Sequence, residues 1–452
     1  MSDKNITLIG AGLVGSLLAV YLARRGFNVE IFERRPDMRK ENISAGRSIN
    51  LALANRGIYP LQQAGLMDHV SPMLTPMKGR MIHDKSGNQS LQPYGQRPEE
   101  VIYSVSRADL NKLCMTQAEQ LGNVSIRFNQ RCESIDFDNN ELLLVDEENG
   151  NQYRHTFTRV IGTDGSASAI RESIQQKQNG KNSVEPLDHS YKELCIPPSP
   201  NGDFQMEPNA LHIWPRGGYM VIALPNIDGS FTVTLFMPNE GPVSFESIKD
   251  KTSLETFFAE QFPDAKALLP DLEYDYFNNP TGRLATVRTS PWYYQDKALL
   301  LGDAAHAIVP FHGQGMNCGF EDVWDFDQCI EQFGDDWQQV FAETEKRRID
   351  NGNAIADMAL ENYIEMRDSV NDARYLLKKQ LSFELEKRWP NHFIPRYSMV
   401  MFHRLPYSEA FQRGKIQNRI LDELTENITD IKQCDMEKAQ HLIMRKLPEI
   451  IS

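Results

Sequence analysis

The sequence predicts an α/β fold: a Rossmann-like domain on a parallel sheet, interrupted by an inserted, mainly antiparallel β-sheet domain and followed by a C-terminal helical segment. Three observations predict it. The apolar strand Ile6-Thr7-Leu8-Ile9 runs directly into Gly10-Ala11-Gly12-Leu13-Val14-Gly15 and then into a helical pattern. Two further junctions, Ile161-Gly162-Thr163-Asp164-Gly165 and Leu300-Leu301-Gly302-Asp303, put an aspartate just past an apolar strand. Between them, alternating segments follow one another quickly across glycine turns, as antiparallel strands do.

In the first junction each glycine has a task. Gly10 permits the tight turn, Gly12 lets backbone approach a pyrophosphate, and Gly15 lets helix and strand pack closely. Val29-Glu30-Ile31-Phe32 reads as the second strand, with Glu33 at its carboxyl end, where a carboxylate accepts from an adenosine ribose. An acid there favours an unphosphorylated ribose, although Arg34 and Arg35 follow at once. Strand, motif, helix, strand and terminal acid together predict a dinucleotide site.

The segment Gly46-Arg47-Ser48-Ile49-Asn50-Leu51-Ala52-Leu53 reads either as a loop leading to a core helix from about Asn55 to Ala64 or as a loop lying along a polar cofactor chain. Arg80-Met81-Ile82-His83 alternates like a strand, and Leu91-Gln92-Pro93-Tyr94 follows the turn Ser86-Gly87-Asn88, so a hairpin brings Arg80 near Tyr94. An arginine fork with a phenol suits a carboxylate. From the pattern alone a solvated strand edge is the favoured reading, since most arginines are exposed. Ser106 caps a helix that begins at Arg107, and two strands flank Asp138-Asn139-Asn140.

At the second junction, Asp164-Gly165 with Ser168 and Arg171 could be no more than a capped helix carrying a surface arginine. Three such junctions in one chain suggest one ligand crossing one sheet. A polar stretch at 179–183 reads as a boundary, followed by strands near 191–196, 209–214, 219–224 and 231–237 and a helix near 254–269 broken at Pro263. The third junction continues through Pro310-Phe311-His312-Gly313-Gln314-Gly315 to a helix near Met316-Asn317; unpaired N–H groups at such a start attract anions. A helix from about Ile355 carries Asn362 in an apolar stripe, where its amide needs either a buried partner or a ligand. The expected organisation is 1–178 and 281–375 for the dinucleotide domain, with a substrate-side hairpin near 72–104, 179–280 for the β-sheet domain and 376–452 for the helical region.

Composition narrows the partners. The 452 residues are 40% hydrophobic and 24% charged, ordinary for a soluble globular chain. A formal charge of -14 argues against nucleic acid, which needs a basic face. Six scattered cysteines form no Cys-x-x-Cys pair, so they are expected as reduced thiols without a metal. No signal peptide or membrane-spanning run is recognised, and a cytoplasmic location is expected.

The three junctions resemble the fingerprints of the single-component flavoprotein aromatic monooxygenases, whose fold is that of para-hydroxybenzoate hydroxylase. Arg47-Ser48-Ile49-Asn50-Leu51-Ala52-Leu53, Arg80-Met81-Ile82-His83, Pro93-Tyr94-Gly95, Pro310 through Asn317, Glu361-Asn362-Tyr363 and Pro395-Arg396-Tyr397-Ser398-Met399 further resemble the kynurenine 3-monooxygenase family over nearly the whole chain. The resemblance implies bound FAD, with NADPH and O2 as cosubstrates and L-kynurenine hydroxylated through a flavin C4a-hydroperoxide, so no side-chain acid or base is assigned. It implies FAD contacts at Gly10, Gly12, Val14, Gly15, Glu33, Arg34, Ala52, Arg107, Asp164, Asp303, Gly315, Met316 and Asn317. Arg80, Tyr94 and Tyr397 would hold the substrate carboxylate, Asn362 would complete the pocket, and Phe311 and His312 would line the ring. Mitochondrial members end in a membrane-anchoring helix, whereas Met444-Arg445-Lys446-Leu447-Pro448-Glu449 is polar, which implies the soluble bacterial type. Hydroxylation of another aromatic amino acid or anthranilate-like acid is the alternative within the fold. Monomer and homodimer both remain open.

Overall fold

A computed structural model describes residues 4–40, 50–369 and 372–450. A six-stranded sheet runs in the order Tyr293–Tyr294, Ala298–Leu300, Val160–Gly162, Asn5–Ile9, Asn28–Phe32, Val124–Arg127. All its neighbours are parallel except the first pair. Parallel sheets of this kind are covered on both faces, which is why Leu8, Ile31, Ile161 and Leu299 are fully buried. The three junctions and Glu33 therefore lie along one edge, at the carboxyl ends of adjacent strands, where open α/β sheets bind ligands.

Steric limits explain two of the glycines. A Cβ on Gly15 would lie 2.1 Å from the Gly10 carbonyl oxygen and 2.5 Å from Thr163 Oγ1, so the Leu13–Arg24 helix could not seat against the sheet. Gly10 adopts φ +101°, and a Cβ there would lie 2.6 Å from Thr163 O.

The second large sheet has seven strands in the order Gly282–Ser290, Lys181–Ile196, Phe231–Pro238, Met220–Pro225, Ala210–Pro215, Gly79–His83, Gln89–Pro93. The hairpin of Arg80 extends this sheet, pairing parallel with Ala210–Pro215 and antiparallel within itself. The strand expected at 191–196 is sixteen residues long and starts at Lys181, inside the stretch read as a boundary; Asn179, at φ 51°, ends the preceding helix just before it. One face of this sheet packs on Leu254, Phe258, Phe262 and Leu272 from the helical connection 251–278.

The helix expected from about Ile355 begins instead at Trp337, with Asp336 as its cap, and runs to Ile364. Its first half carries charges that hide the apolar stripe, and one of them, Arg348, is buried. The Gly315–Phe333 helix packs beside it. Helices Ala373–Arg388, Arg396–Met401, Tyr407–Thr425 and Met436–Lys446 close the chain. Among the described residues no helix is long and apolar enough to cross a membrane.

Candidate active site

A cavity of about 1000 Å3 runs from the carboxyl edge of the six-stranded sheet to the inner face of the seven-stranded one. Of the residues singled out from sequence, Gly10, Gly12, Val14, Glu33, Arg34, Ala52, Arg107, Asp164, Asp303, Gly315 and Met316 line it, as do Arg80, Tyr94, Phe311, His312, Asn362 and Tyr397. Gly15 sits one layer behind, in the helix–strand contact described above. Arg47, Ser48 and Ile49 lie outside the described residues.

At the dinucleotide end, Glu33 is buried, and its Oε2 accepts from the Ala11 N–H at 2.8 Å while Oε1 accepts from the Arg35 N–H and Nε. The carboxylate is thus fixed at the strand end, where Glu33 lines the cavity. A Cβ on Gly12 would meet nothing within 4 Å, so this bare backbone faces open space. A long-lined cavity, a bare glycine turn and a fixed terminal carboxylate are features that a dinucleotide such as FAD would need.

The other two junctions are tied together. Asp164 caps the Ala169–Gln178 helix through the Ser168 hydroxyl at 2.6 Å and the Ala169 N–H at 2.9 Å. Arg171 is no surface arginine: it is buried and donates to Ser166 O at 2.6 Å and Ala304 O at 3.0 Å, spanning the second and third junctions. Asn317 is fully buried; its Oδ1 accepts from the Ala54 N–H and its Nδ2 donates to Ala52 O and Gly313 O. Its side chain therefore shapes the loop around Gly313 from behind the wall.

Behind Asp303 lies a buried network that sequence reasoning missed. Asp322 Oδ2 meets His306 Nε2 at 2.6 Å and the Gly302 N–H at 3.0 Å, and Oδ1 accepts from Arg348 Nε at 2.7 Å. Burial disfavours every charge here, yet Asp322 is held down to about 2, and His306 is raised well above its ordinary value, because each faces the opposite charge. His306, Cys318 and Asp322 bring three ligand atoms within 4.8 Å of one another. The Arg348 guanidinium stands 3.3 Å from Cys318 Sγ, so a cation would meet a fixed positive charge, and the group acts as an ion-pair lock on the Gly302-Asp303 turn.

At the far end, Arg80 and Tyr94 are each 4% exposed, which excludes the solvated strand edge. The Arg80 guanidinium carbon lies 5.1 Å over the Tyr397 ring, and Tyr397 stacks on Tyr94 at 5.3 Å and on His312 at 5.7 Å. Asn362 finds buried protein partners: Nδ2 donates to Phe311 O at 2.7 Å, and Oδ1 accepts from Arg80 Nη2 at 3.4 Å. Among the described residues lining this end, Arg80 Nε and the Tyr94 hydroxyl are buried donors without a hydrogen-bond partner, and His312 Nδ1 is likewise unpartnered. Such groups are costly unless a ligand satisfies them. Burial pushes His312 down to about 3, so its ring is neutral. Between the two ends, Phe311 stacks on Tyr363 at 3.7 Å and meets Phe236 edge-on at 5.0 Å, giving an apolar slot. Leu211, Met220, Ile222 and Leu224 from the seven-stranded sheet and Gln130 through Glu133 also line the cavity. Their alternating patterns are those of any strand, and only the folded arrangement brings them here.

The fold and the cavity define an FAD-binding protein of the aromatic hydroxylase type. A family model for the FAD binding domain matches residues 3–330. The structure is similar to the tetrameric form of 2-methyl-3-hydroxypyridine-5-carboxylic acid oxygenase, with a TM-score of 0.66 and 20% identity over 82% of this chain and 95% of that one. It is also similar to P. aeruginosa PqsL in complex with 2-aminobenzoylacetate, with a TM-score of 0.64 and 18% identity over 80% and 96%. In sequence the chain is 50% identical to kynurenine 3-monooxygenase of Myxococcus xanthus over 98% of this chain and 95% of that one, and 44% identical to that of Stenotrophomonas maltophilia over 99% and 98%. The chain belongs to the kynurenine 3-monooxygenase family.

Proposed function

We propose that the protein is an FAD-dependent monooxygenase that converts L-kynurenine to 3-hydroxy-L-kynurenine with NADPH and O2. The observation that carries the substrate assignment is the pair of unpartnered buried donors, Arg80 Nε and the Tyr94 hydroxyl, at the end of an aromatic slot that opens onto the dinucleotide site. A planar fork and a phenol take one carboxylate in two directions. Tyr397 and Asn362 would hold the amino-acid chain beside them, leaving the aniline ring in the slot of Phe311, Phe236 and neutral His312.

Bound FAD, once reduced by NADPH, supplies the activated oxygen that an electron-rich aniline ring accepts. The protein's residues orient and exclude water. Glu33, Gly12 and Asp303 would hold the cofactor, the ion-pair lock would keep the Gly302-Asp303 turn in place, and the apolar slot would keep water from the reacting ring. No side chain is needed as an acid or base at the ring, and His312 is held neutral beside it.

The test is NADPH oxidation by the FAD-loaded protein. L-Kynurenine should stimulate it strongly and anthranilate, which lacks the amino-acid chain, weakly. Equal stimulation by both would remove the Arg80 pocket from substrate recognition.

A further inference from the structure

Arg80 has a second partner that the carboxylate reading does not use. Its Nη1 lies 3.3 Å from Glu365 Oε1, and that oxygen also accepts from the Tyr375 hydroxyl at 2.8 Å. Glu365 belongs to the single helical turn Glu365–Ser369 that follows the Asn362 helix. It is not among the lining residues: Arg80, Asn362 and Met366 form the wall, and Glu365 stands behind Arg80. Although burial works to raise it, Arg80 first and then Tyr375 hold the Glu365 carboxyl below its ordinary range, so it stays charged. Two other cations stand near this pair. Arg396 is paired with Glu361 at 2.5 Å, and Lys379, bonded to Gln92 at 3.3 Å, is pushed down to about 8 by burial and then by Arg80.

An α-amino acid carries its ammonium two bonds from the carboxylate carbon. A ligand that docks its carboxylate on Arg80 Nε and Tyr94 therefore brings a positive charge within a few ångströms of the guanidinium, which alone would repel it. The acceptors facing the outer nitrogens of Arg80 are Asn362 Oδ1 and Glu365 Oε1. Lys379, at about 8, stays mostly cationic at neutral pH, so Glu365 is the carboxylate that directly offsets Arg80; without it the site is more strongly cationic and favours a simple anion over a zwitterion.

We propose that Glu365 is the residue that makes this pocket select an α-amino acid over the corresponding desamino acid, by balancing Arg80 and supplying the countercharge for the α-ammonium. This rests on the kynurenine reading and assigns within it the determinant for the amino group. The test is calorimetric titration of the FAD holoenzyme with L-kynurenine and with its desamino analogue, which keeps the aniline, ketone and carboxylate. The wild type should prefer kynurenine by about tenfold or more. Glu365→Gln should lose that preference, binding kynurenine at least about tenfold more weakly and the desamino acid as tightly as the wild type or more so. Glu365→Asp, which keeps the charge, should retain the preference. Equal losses for both ligands in Glu365→Gln would reduce Glu365 to a prop for Arg80 and overturn the inference alone. No preference in the wild type overturns it without recourse to a variant, and a wild type that binds neither ligand overturns the kynurenine reading as well.

Discussion

Arg80 shows how the meaning of a single side chain depends on what surrounds it. In an alternating strand it is indistinguishable from a solvated arginine, and the structure buries it among Tyr94, Tyr397, Asn362 and Glu365. Removing its charge leaves the ligand carboxylate desolvated without a partner, which costs about 2–5 kcal/mol. Arg80→Met should therefore weaken L-kynurenine binding by about 30-fold or more while the purified protein stays yellow; unchanged affinity measured by calorimetry would sink the carboxylate role. Asn362 was legible as the odd residue in an apolar stripe, because a buried amide must be satisfied. Which partner satisfies it was not legible, since Phe311 and Arg80 lie far away along the chain.

At the level of elements, the glycine turns were legible because they answer to local sterics. Gly15→Ala should drive a methyl group into the Gly10 carbonyl and cost about 1–3 kcal/mol with loss of bound FAD; a variant of wild-type melting temperature and flavin content would contradict the close packing. The Asp322, His306 and Arg348 lock was not legible, since its members come from three helices and each alone resembles an ordinary surface residue. It has a pH signature. His306, raised in the folded protein, stabilises fully below its ordinary value of 6.5, and that contribution is lost as pH rises through the folded value. Asp322, depressed to about 2 from 3.8, contributes above 3.8 and loses its contribution as pH falls toward 2. The difference in melting temperature between wild type and His306→Asn should thus be largest between about pH 4 and 6.5 and shrink on the alkaline side. A difference that grows with pH would show that His306 is not held as a cation. The parallel pairing of Gly79–His83 with Ala210–Pro215 was hidden for a related reason: parallel partners distant in sequence leave no turn between them to read.

Across the whole molecule, one cavity joins the carboxyl edge of the six-stranded sheet to the seven-stranded sheet that carries Arg80, and Asn362 and Tyr397 reach it from helices. The fold class could be read from the order of strand patterns, because parallel and antiparallel segments differ in periodicity and in their connections. The continuity of the cavity could not, because it comes from the packing of segments far apart in the chain. Asp303 lines the cavity at the turn that the ion-pair lock holds. Asp303→Ala should yield protein that folds but retains FAD weakly, seen as colour lost on gel filtration; full flavin retention would count against its place in the cofactor site.

If the protein is the hydroxylase proposed above, one oxygen atom from dioxygen reaches the ring of kynurenine. The most direct measurement is turnover of the FAD holoenzyme with NADPH and L-kynurenine under isotopically heavy dioxygen, with product mass and peroxide followed together. The expected product is a hydroxylated kynurenine carrying one heavy oxygen, with little peroxide. NADPH consumption that yields peroxide and unchanged kynurenine would contradict that proposal.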